Sequence, residues 1–309
     1  MSRILLVFYE FVIIMKNMPR IKIALIIGIG LITLSFASIL IKLTSAPSIV
    51  IAAGRLGVAA LILQPIFFSQ FTKLKQEIKE SKWSLIILAG VFLAAHFMMW
   101  IESLSHTSVP SSVVLVATDP IFVAILSPLL LHEKVSLKIV MAIILGIFGT
   151  MIIASQGFNS FAMTKGNLLA LGGAACAGGY LLVGRKVRPK LSLLSYIYIM
   201  YTTAAIILIL TVIATGNKFF NYSFQSYIFI ALLGIGPQLI GHSSFNWALK
   251  YLTAPVVAMA ILGEPIGTTI LSWLILKQPP TIAEIIGGLI ICIGIYLATS
   301  KLEKTFNKA

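Results

Sequence analysis

Two acidic residues lie inside long apolar runs, and each is followed directly by a proline. Asp119-Pro120 lies within VLVATDPIFVAILSPLLL, and Glu264-Pro265 lies within AILGEPIGTTILSWLIL. A proline inside a helix removes a backbone hydrogen bond and bends the helix, which frees carbonyl oxygens beside it. A carboxyl group at such a break can bind a cation or a proton, or can hydrogen-bond a substrate. The alternative is a fixed kink that serves helix packing alone.

A third ionisable residue, Arg55, lies in the apolar run 48–69. An ionised side chain near the centre of a bilayer is costly unless it is paired or hydrated, so such residues mark candidate functional cavities. We therefore expect Arg55 to pair with Asp119 or Glu264, or with an anionic group of a substrate. The alternative is a structural ion pair that only holds two parts of the protein together.

Two histidines form a second group of candidate site residues. In AHFMMWIESLSHTS, His96, Trp100 and Ser103 are four and seven residues apart, so they share one face of a helix. In GHSSFNWALKYL, His242 and Asn246 are again four apart. These side chains predict a cavity with hydrogen-bonding groups, a stacking surface and two groups that titrate near neutral pH. The alternative for either histidine is a hydrogen bond to the backbone of a neighbouring helix.

Motifs of catalysis and metal binding are missing from the sequence. His132-Glu133 is not followed by a second histidine at metal-binding spacing, and no phosphate-binding loop is present. Cys176 and Cys292 lie in apolar runs and read as small hydrophobic residues. We predict no catalytic residues, no metal and no cofactor, and no ATP hydrolysis by this chain.

The composition indicates an integral membrane protein. Hydrophobic residues make up 59% of the 309 and charged residues 10%, against roughly a quarter charged in soluble proteins. Apolar runs of about 20 residues, the length of a helix that crosses a bilayer, recur along the whole chain. The net charge of +14 is spread over short clusters between these runs, which argues against a nucleic-acid-binding patch.

The apolar runs define ten candidate spans with short connections and no room for a soluble domain. They are residues 22–42, 48–69, 84–105, 109–131, 136–155, 166–185, 192–214, 226–248, 253–276 and 282–300. With the N-terminus in the cytoplasm, eighteen lysines and arginines lie at cytoplasmic ends of spans and four at outer ends. This excess of positive charge predicts a bacterial inner-membrane protein with both termini in the cytoplasm.

The two acid–proline pairs are 145 residues apart, and other residues repeat at the same spacing. The spacing relates Pro110 to Pro255, Ser127 to Ser272 and Gly149 to Gly294. An internal duplication of five spans follows, and an odd number of spans places the copies in opposite orientations. Inverted repeats of this kind are typical of transporters, with the substrate site near the midplane between them.

The predicted domain organisation follows from this duplication. Residues 1–20 form an N-terminal cytoplasmic or interfacial segment, 21–155 the first five-helix repeat, 166–300 the second, and 301–309 a cytoplasmic tail. Translation starts at Met1 or at Met18. The glycine-rich stretch ALGGAACAGGYLLVG is interpreted as a helix-packing surface, because small residues recur at spacings of three and four.

The order of the motifs resembles that of the EamA-type permeases of the drug/metabolite transporter superfamily. The resemblance is carried by HFMMWIESLSHTSVPSSVVLVATDPIF and LLLHEKVS in the first repeat, and by GNLLALGGAACAGGYLLVGR, GHSSFNWALKYLTAPVVAMAILGEPIG and LKQPPTIAEIIGGLIICIGIYL in the second. It covers residues 20 to 300. Where the family often has a glutamate after the ninth span, this chain has Gln278, and the corresponding acid is kept only at Glu133.

The resemblance implies an all-α bundle of ten transmembrane helices, two inverted five-helix repeats around a central cavity, with alternating access. The leading hypothesis is a secondary transporter, an exporter of a small metabolite, amino acid or amphipathic compound. Its partners would be a small-molecule substrate, the lipid bilayer and protons as a candidate coupling ion. No nucleic-acid partner is expected, and the protein would be a monomer or homodimer. Glu264 is the favoured working acid because it lies between Gly263 and Gly267, and Asp119 is its twin.

Two alternatives remain open at the level of the sequence. A passive channel or uniporter could have the same architecture; a carrier would be distinguished by counterflow. A membrane-embedded enzyme or lipid-handling protein could use the histidines and acids for proton transfer; it would return a chemically changed product.

Overall fold

Apolar helices follow one another along the computed structural model, which describes residues 19–155, 164–277 and 279–299. Nine helices within these ranges have the length and composition of membrane spans, and the tenth apolar helix, Leu137–Ile153, is shorter. The protein is thus an all-α integral membrane protein of ten spans in two inverted five-helix repeats. Most of the predicted segment 1–20, the tail 301–309 and Gln278 lie outside the described residues.

Several spans consist of more than one helical segment. The helices of the first repeat are Pro19–Ser35 and Ala37–Lys42, Ser48–Ser69, Phe71–Glu80, Trp83–Ser103, Val109–Val116 and Asp119–Leu131, and Leu137–Ile153. Those of the second are Lys165–Val187 with the 3₁₀ turn Arg188–Lys190, Leu193–Ala214, Phe224–Leu233 with the π-helical Gly234–His242 and Ser243–Ala248, Ala254–Ile261 and Glu264–Leu276, and Ile282–Thr299.

The duplication extends to the ends of the helices. The second span, Ser48–Ser69, and the seventh, Leu193–Ala214, begin and end 145 residues apart. After the fourth and ninth spans, His132 and Lys277 occupy the same left-handed backbone conformation, with φ of 56° and 57°. Equal boundaries at a single spacing indicate that the two repeats share one backbone plan.

Both acid–proline pairs lie at a break between two half-helices. The fourth span is divided into Val109–Val116 and Asp119–Leu131, and the ninth into Ala254–Ile261 and Glu264–Leu276. The sequence predicted prolines inside continuous helices; the structure instead places them in the first turn of the second half. Proline is tolerated there because a first-turn N–H has no partner within the helix.

The connections define two ends of the bundle, which differ in charge. We call the end where the odd-numbered spans begin the basic end, because it carries most of the lysines and arginines. The helix Phe71–Glu80, which the sequence treated as a plain connection, lies at this end. Its Glu77 Oε2 accepts hydrogen bonds from Ser192 N at 3.2 Å and Ser195 Oγ at 3.3 Å. Glu77 therefore supplies an acceptor to the first turn of the seventh span.

The outer surface of the bundle is apolar, as a lipid environment requires. Leu129, Phe148 and Leu289 are 68%, 54% and 61% exposed. Most polar side chains of the spans instead face other helices or bond their own backbone. This arrangement keeps hydrogen-bonding groups out of contact with hydrocarbon, where unsatisfied groups are costly.

The fifth and tenth spans approach each other through glycines. A Cβ atom built on Gly149 would lie 2.6 Å from the carbonyl oxygen of Gly287 and 2.7 Å from Ile291 Cγ1. A Cβ on Gly294 would lie 2.9 Å from the carbonyl oxygen of Ala142. These backbones are in contact at a distance that only glycine permits, which is how small residues associate helices in membranes.

The Gly149→Ala substitution is expected to lower the free energy of unfolding by about 1–3 kcal/mol, because backbone atoms of the tenth span must move. Gly28→Ala is the matched control, since a Cβ atom at Gly28 would meet nothing within 4 Å. The measurement is the thermal unfolding midpoint of each purified variant in detergent. Equal midpoints for Gly149→Ala and the unsubstituted protein would show that the close approach is dispensable.

Candidate functional site

A cavity of about 280 Å³ lies between the two repeats, and it contains most of the polar groups singled out from the sequence. The predicted site residues that line it are Arg55, His96, Trp100, Asp119, His242, Glu264 and Pro265. The two repeats contribute to it jointly: Arg55, His96 and Asp119 come from the first, and His242 and Glu264 from the second. The remaining predicted residues, Ser103, Asn246 and Pro120, are not among its lining residues.

The two acids begin the second halves of the broken spans. Asp119 is the first residue of Asp119–Leu131, and Glu264 is the first residue of Glu264–Leu276. The N-terminus of a helix favours negative charge, so each break supplies local support for a carboxylate. Asp119 is only 6% exposed, whereas Glu264 is partly exposed. Glu264 is therefore the more accessible of the two acids.

Arg55 is the buried cation of the cavity wall. Its side chain is 0% exposed, and its guanidinium carbon lies 4.1 Å from the centre of the Phe97 ring. Its three guanidinium nitrogens have no hydrogen-bond partner among the described residues. Asp119 and Glu264 line the same cavity, but the predicted ion pair of Arg55 with either acid is not formed within the described part of the chain.

His96 is fixed by the sixth span. Its Nδ1 lies 2.9 Å from the carbonyl oxygen of Gly173. Because a carbonyl only accepts hydrogen bonds, Nδ1 carries the hydrogen, and Nε2 is an acceptor in the neutral form of the ring. The ring is nearly parallel to that of Trp100, at 12° and with centres 5.9 Å apart. His96 thus combines the backbone hydrogen bond of the alternative interpretation with a place in the cavity wall.

Glycine at position 173 leaves little space between the sixth and third spans. A Cβ atom there would lie 3.3 Å from Trp100 N and 3.5 Å from the carbonyl oxygen of His96. The glycine-rich stretch therefore packs against the third span, in agreement with its interpretation as a packing surface, and it also brings the Gly173 carbonyl within reach of His96.

His242 ends the π-helical segment Gly234–His242 of the eighth span. Its Nδ1 is 3.4 Å from the hydroxyl oxygen of Tyr180, and its ring meets Phe97 edge-on at 5.4 Å between centres. The third span has no such segment. The wider π-helical turn is a local departure from the repeat plan, of a kind often found at functional sites.

Tyr180 is a cavity residue that the sequence did not reveal. It is 2% exposed and lies between His96 and His242, with ring centres 6.4 Å and 6.3 Å away. The sequence did contain a signal for Tyr180, because it is the one aromatic residue in the glycine-rich segment 172–184. The stretch was assigned to packing as a whole.

Ser103 and Asn246 bond within the helix bundle. The Ser103 hydroxyl donates to the Trp100 carbonyl oxygen at 2.7 Å and lies 2.5 Å from Ser112 Oγ. Asn246 Nδ2 donates to the His242 carbonyl oxygen at 2.9 Å. In this structure both side chains support residues of the wall from behind.

The basic end is closed by polar contacts between the repeats. Glu133 of the first repeat forms an ion pair with Arg185 of the second, at 2.6 Å from Oε1 to Nε. Arg185 Nη1 also donates to the carbonyl oxygens of Leu249 and Lys250, at 2.8 Å and 3.3 Å. One guanidinium thus ties the end of the sixth span to the ends of the fourth and eighth.

A second buried arginine, Arg188, strengthens this closure. It is 2% exposed; its Nε donates to the carbonyl oxygen of Asn246 at 3.0 Å, and its Nη1 donates to that of Leu191. Carbonyls at a helix C-terminus lack partners within the helix, so a guanidinium satisfies them. The eighth span therefore ends against fixed positive groups.

The cavity lies toward the opposite end of the bundle. Ser38, Thr268 and Ser272 line it beyond the middle of their spans, and Glu284 lines it at the start of the tenth span. Glu284 Oε2 accepts a hydrogen bond from Thr281 N at 2.7 Å. The cavity therefore extends from the buried histidines and Arg55 toward the end of the bundle that carries few basic residues.

The donor set offers no metal site within the described ranges. No group of three or more histidine, cysteine, aspartate or glutamate side chains is positioned there to hold a metal ion. What the arrangement can do is bind a small molecule, with hydrogen-bonding and charged groups near the middle of the bundle and aromatic rings beside them.

Comparison with known proteins gives the class and the family. The sequence profile of the EamA-like transporter family matches residues 5–155 and 164–300. The protein is a multi-pass membrane transporter. The chain belongs to the EamA-like transporter family, as its resemblance to EamA-type permeases predicted.

Relatives and a solved structure agree with this assignment. Two uncharacterized transporters of Bacillus subtilis, YyaM and YoaV, are 21% and 27% identical, each over 82% of this chain and over 84% and 87% of their own. A riboflavin transporter of Brucella anthropi is 26% identical over 52% of this chain and 55% of its own. A crystal structure with 16% identity superimposes with a TM-score of 0.78 over 93% of this chain and 99% of that chain, which shows the fold.

The one-sided cavity predicts unequal reactivity at two related serines. Ser272 lines the cavity, whereas Ser127, its counterpart 145 residues earlier, is 0% exposed. With Cys176 and Cys292 replaced by alanine, Ser272→Cys is expected to react with a water-soluble maleimide at least about tenfold faster than Ser127→Cys, because only a hydrated thiol ionises readily. Labelling rates of the purified variants give the measurement. Equal rates would contradict a cavity confined to one end.

Proposed function

We propose that this protein is a secondary carrier that exports a small polar or amphipathic metabolite across the bacterial inner membrane by alternating access. In this proposal both termini are cytoplasmic, and the basic end faces the cytoplasm, as the excess of positive charge favours. The cavity then faces outward. The residues that bind the substrate are Arg55, His96, Trp100, Tyr180 and His242.

The observation that carries this proposal is a cavity with charged and hydrogen-bonding groups in its wall, which reaches the middle of the bundle from one end while the other end is closed between the repeats. The closing contacts are an ion pair and hydrogen bonds to carbonyls, as at Glu133 and Arg185. Such groups can exchange their partners for water when the end opens, so the closed and open arrangements can lie close in free energy. A carrier needs two arrangements of this kind around one binding site.

The matching helix breaks support the movement. The two repeats, 21–155 and 166–300, are the proposed moving units, and each contains a span divided just before its acid. A two-residue break has fewer backbone hydrogen bonds to hold it than a continuous helix. Pro120 and Pro265 begin the second halves, so the halves can reorient about these points as the cavity opens to one end or the other.

Glu264 is the proposed coupling group, with a proton as the coupling ion. It is more exposed to the cavity than Asp119, and Gly263 precedes it at the break. A carboxyl group that borders both the cavity and a hinge can exchange a proton as the access changes. Asp119 serves as the buried counterpart in the other repeat.

Counterflow in proteoliposomes tests the carrier against a passive channel. A thermal-shift screen of the purified protein against metabolites first identifies a ligand. A carrier loaded with that ligand inside the vesicle accelerates entry of labelled ligand from outside, because the loaded site returns faster than the empty one. A channel of the same fold gives no such acceleration, and an enzyme returns a chemically altered compound.

Glu264→Gln is expected to reduce pH-driven transport at least about tenfold while leaving the yield of folded protein nearly unchanged, because the substitution removes the proton and keeps the shape. Transport into proteoliposomes is measured with and without an imposed pH difference. Glu102→Gln is the control, since Glu102 lies outside the cavity and pairs with His106 at 3.0 Å. A loss of folded yield with normal activity per folded molecule would make Glu264 a structural residue.

Charge reversal at Arg185 is expected to open the basic end. Arg185→Glu places a second carboxylate beside Glu133 and removes the donors to Leu249 and Lys250. A partly exposed ion pair of this kind stabilises the closed end by about 1 kcal/mol. Its loss should therefore raise the rate of maleimide labelling of Ser127→Cys several-fold. The double reversal Glu133→Arg/Arg185→Glu should restore part of the protection, because the ion pair re-forms without the carbonyl bonds. Unchanged labelling in the single reversal would show that these contacts do not hold the end closed.

A further inference from the structure

The strongest unexplained feature of the cavity is a pair of buried donors without partners. The three guanidinium nitrogens of Arg55 and the indole nitrogen of Trp100 donate to no hydrogen-bond acceptor in the described residues. Arg55 is 0% exposed and Trp100 is 8% exposed, and both line the cavity. A buried donor left unsatisfied is destabilising, and a buried unpaired charge more so. Donors retained at this cost point to an acceptor that arrives with a ligand.

Both donors neighbour the Phe97 ring. The Arg55 guanidinium lies over the Phe97 ring at 4.1 Å, and the Trp100 ring centre is 6.4 Å from that of Phe97. Stacking on an aromatic face stabilises the cation but leaves the N–H groups at its edge free. Those N–H groups form a planar fork that matches a carboxylate with two parallel hydrogen bonds.

The rest of the wall suits a flat apolar body. His96 and Trp100 present a nearly parallel pair of rings, and Tyr180 closes the side toward His242. The volume of about 280 Å³ equals the liquid volume of roughly nine water molecules. This is room for an acid with one or two rings.

We propose that the cavity binds a small aromatic carboxylate, with its acid group on Arg55 and the Trp100 indole N–H and its ring beside the His96–Trp100 pair. That this ligand is the transported substrate rests on the proposed carrier function; that it binds does not. Arg55 borders the cavity without being exposed to it, so binding requires its side chain to turn toward the ligand.

Matched acids and amides test the ligand class on the purified full-length protein. The probes are 3-phenylpropionate with 3-phenylpropanamide, and indole-3-acetate with indole-3-acetamide, which differ only in the acid group. Each is titrated while the unfolding midpoint and the affinity are measured. The carboxylates should bind at least about tenfold more tightly than the amides, since hydrogen bonds to charged groups are the stronger ones. Equal binding of acid and amide, or no binding of either acid, would overturn the proposal.

Variants assign this preference to Arg55. Arg55→Gln should remove the preference for the acids, and Arg55→Lys should keep part of it, because the charge stays but the fork is lost. Arg188→Gln is the matched control: this second buried arginine bonds carbonyls at the basic end, so its loss should lower stability and leave the preference intact. If Arg55→Gln folds and still prefers the acids, or if Arg55→Lys folds and shows no preference, Arg55 does not bind the carboxylate.

The two cavity acids provide a further discrimination. Because Asp119 and Glu264 repel an anion, the double variant Asp119→Asn/Glu264→Gln should bind the acids at least as tightly as the unsubstituted protein. Weaker binding in this variant would indicate that the acids, rather than Arg55, recognise the ligand. Counterflow is measured separately: acid binding without counterflow contradicts the carrier function alone, and counterflow of an uncharged compound without acid binding contradicts the ligand class alone.

Discussion

The high cost of charge in hydrocarbon is the constraint on which the rest of this structure depends. Arg55, Asp119 and Glu264 lie in apolar spans, where lipid offers them neither water nor a counterion. The ten helices meet this constraint by enclosing a cavity that all three border, while leucine and phenylalanine cover the outside. To enclose the cavity, the fourth and ninth spans break next to their acids, and the helices that pack most closely carry small residues on the surfaces in contact. The cavity then admits water from one end only.

The two inverted repeats share a backbone plan but place different side chains at the cavity. The half-helices of the fourth and ninth spans have the same lengths, and an acid begins the second half of each. Arg55, by contrast, corresponds to Met200 in the second repeat, so the cavity has a cation on one side only. The π-helical segment that ends at His242 is also unmatched. A symmetric backbone therefore carries an asymmetric set of chemical groups, as a site that recognises one orientation of a substrate requires.

The interface of the fifth and tenth spans and the closed basic end are held by different kinds of interaction. The fifth and tenth spans meet through Gly149 and Gly287, whose backbones touch and resist separation. The basic end is instead closed by Arg185 and Arg188, whose donors bond carboxylate and carbonyl oxygens. Backbone contact between glycines is lost entirely when helices part, whereas polar groups find water instead. The first suits a permanent interface, and the second suits one that opens.

The sequence by itself determined the spans and the duplication, because apolar length and the 145-residue spacing are properties of a single chain. It also singled out Arg55, Asp119 and Glu264, which border the cavity, since an ionisable residue in mid-span has few other places to go. It did not place Ser103, Asn246 or Tyr180, because spacing relates a side chain to its own helix and not to the rotation of its neighbours. Only the tertiary structure decided that Arg55 lies against Phe97 and hydrogen-bonds neither acid, because that depends on how separate helices pack.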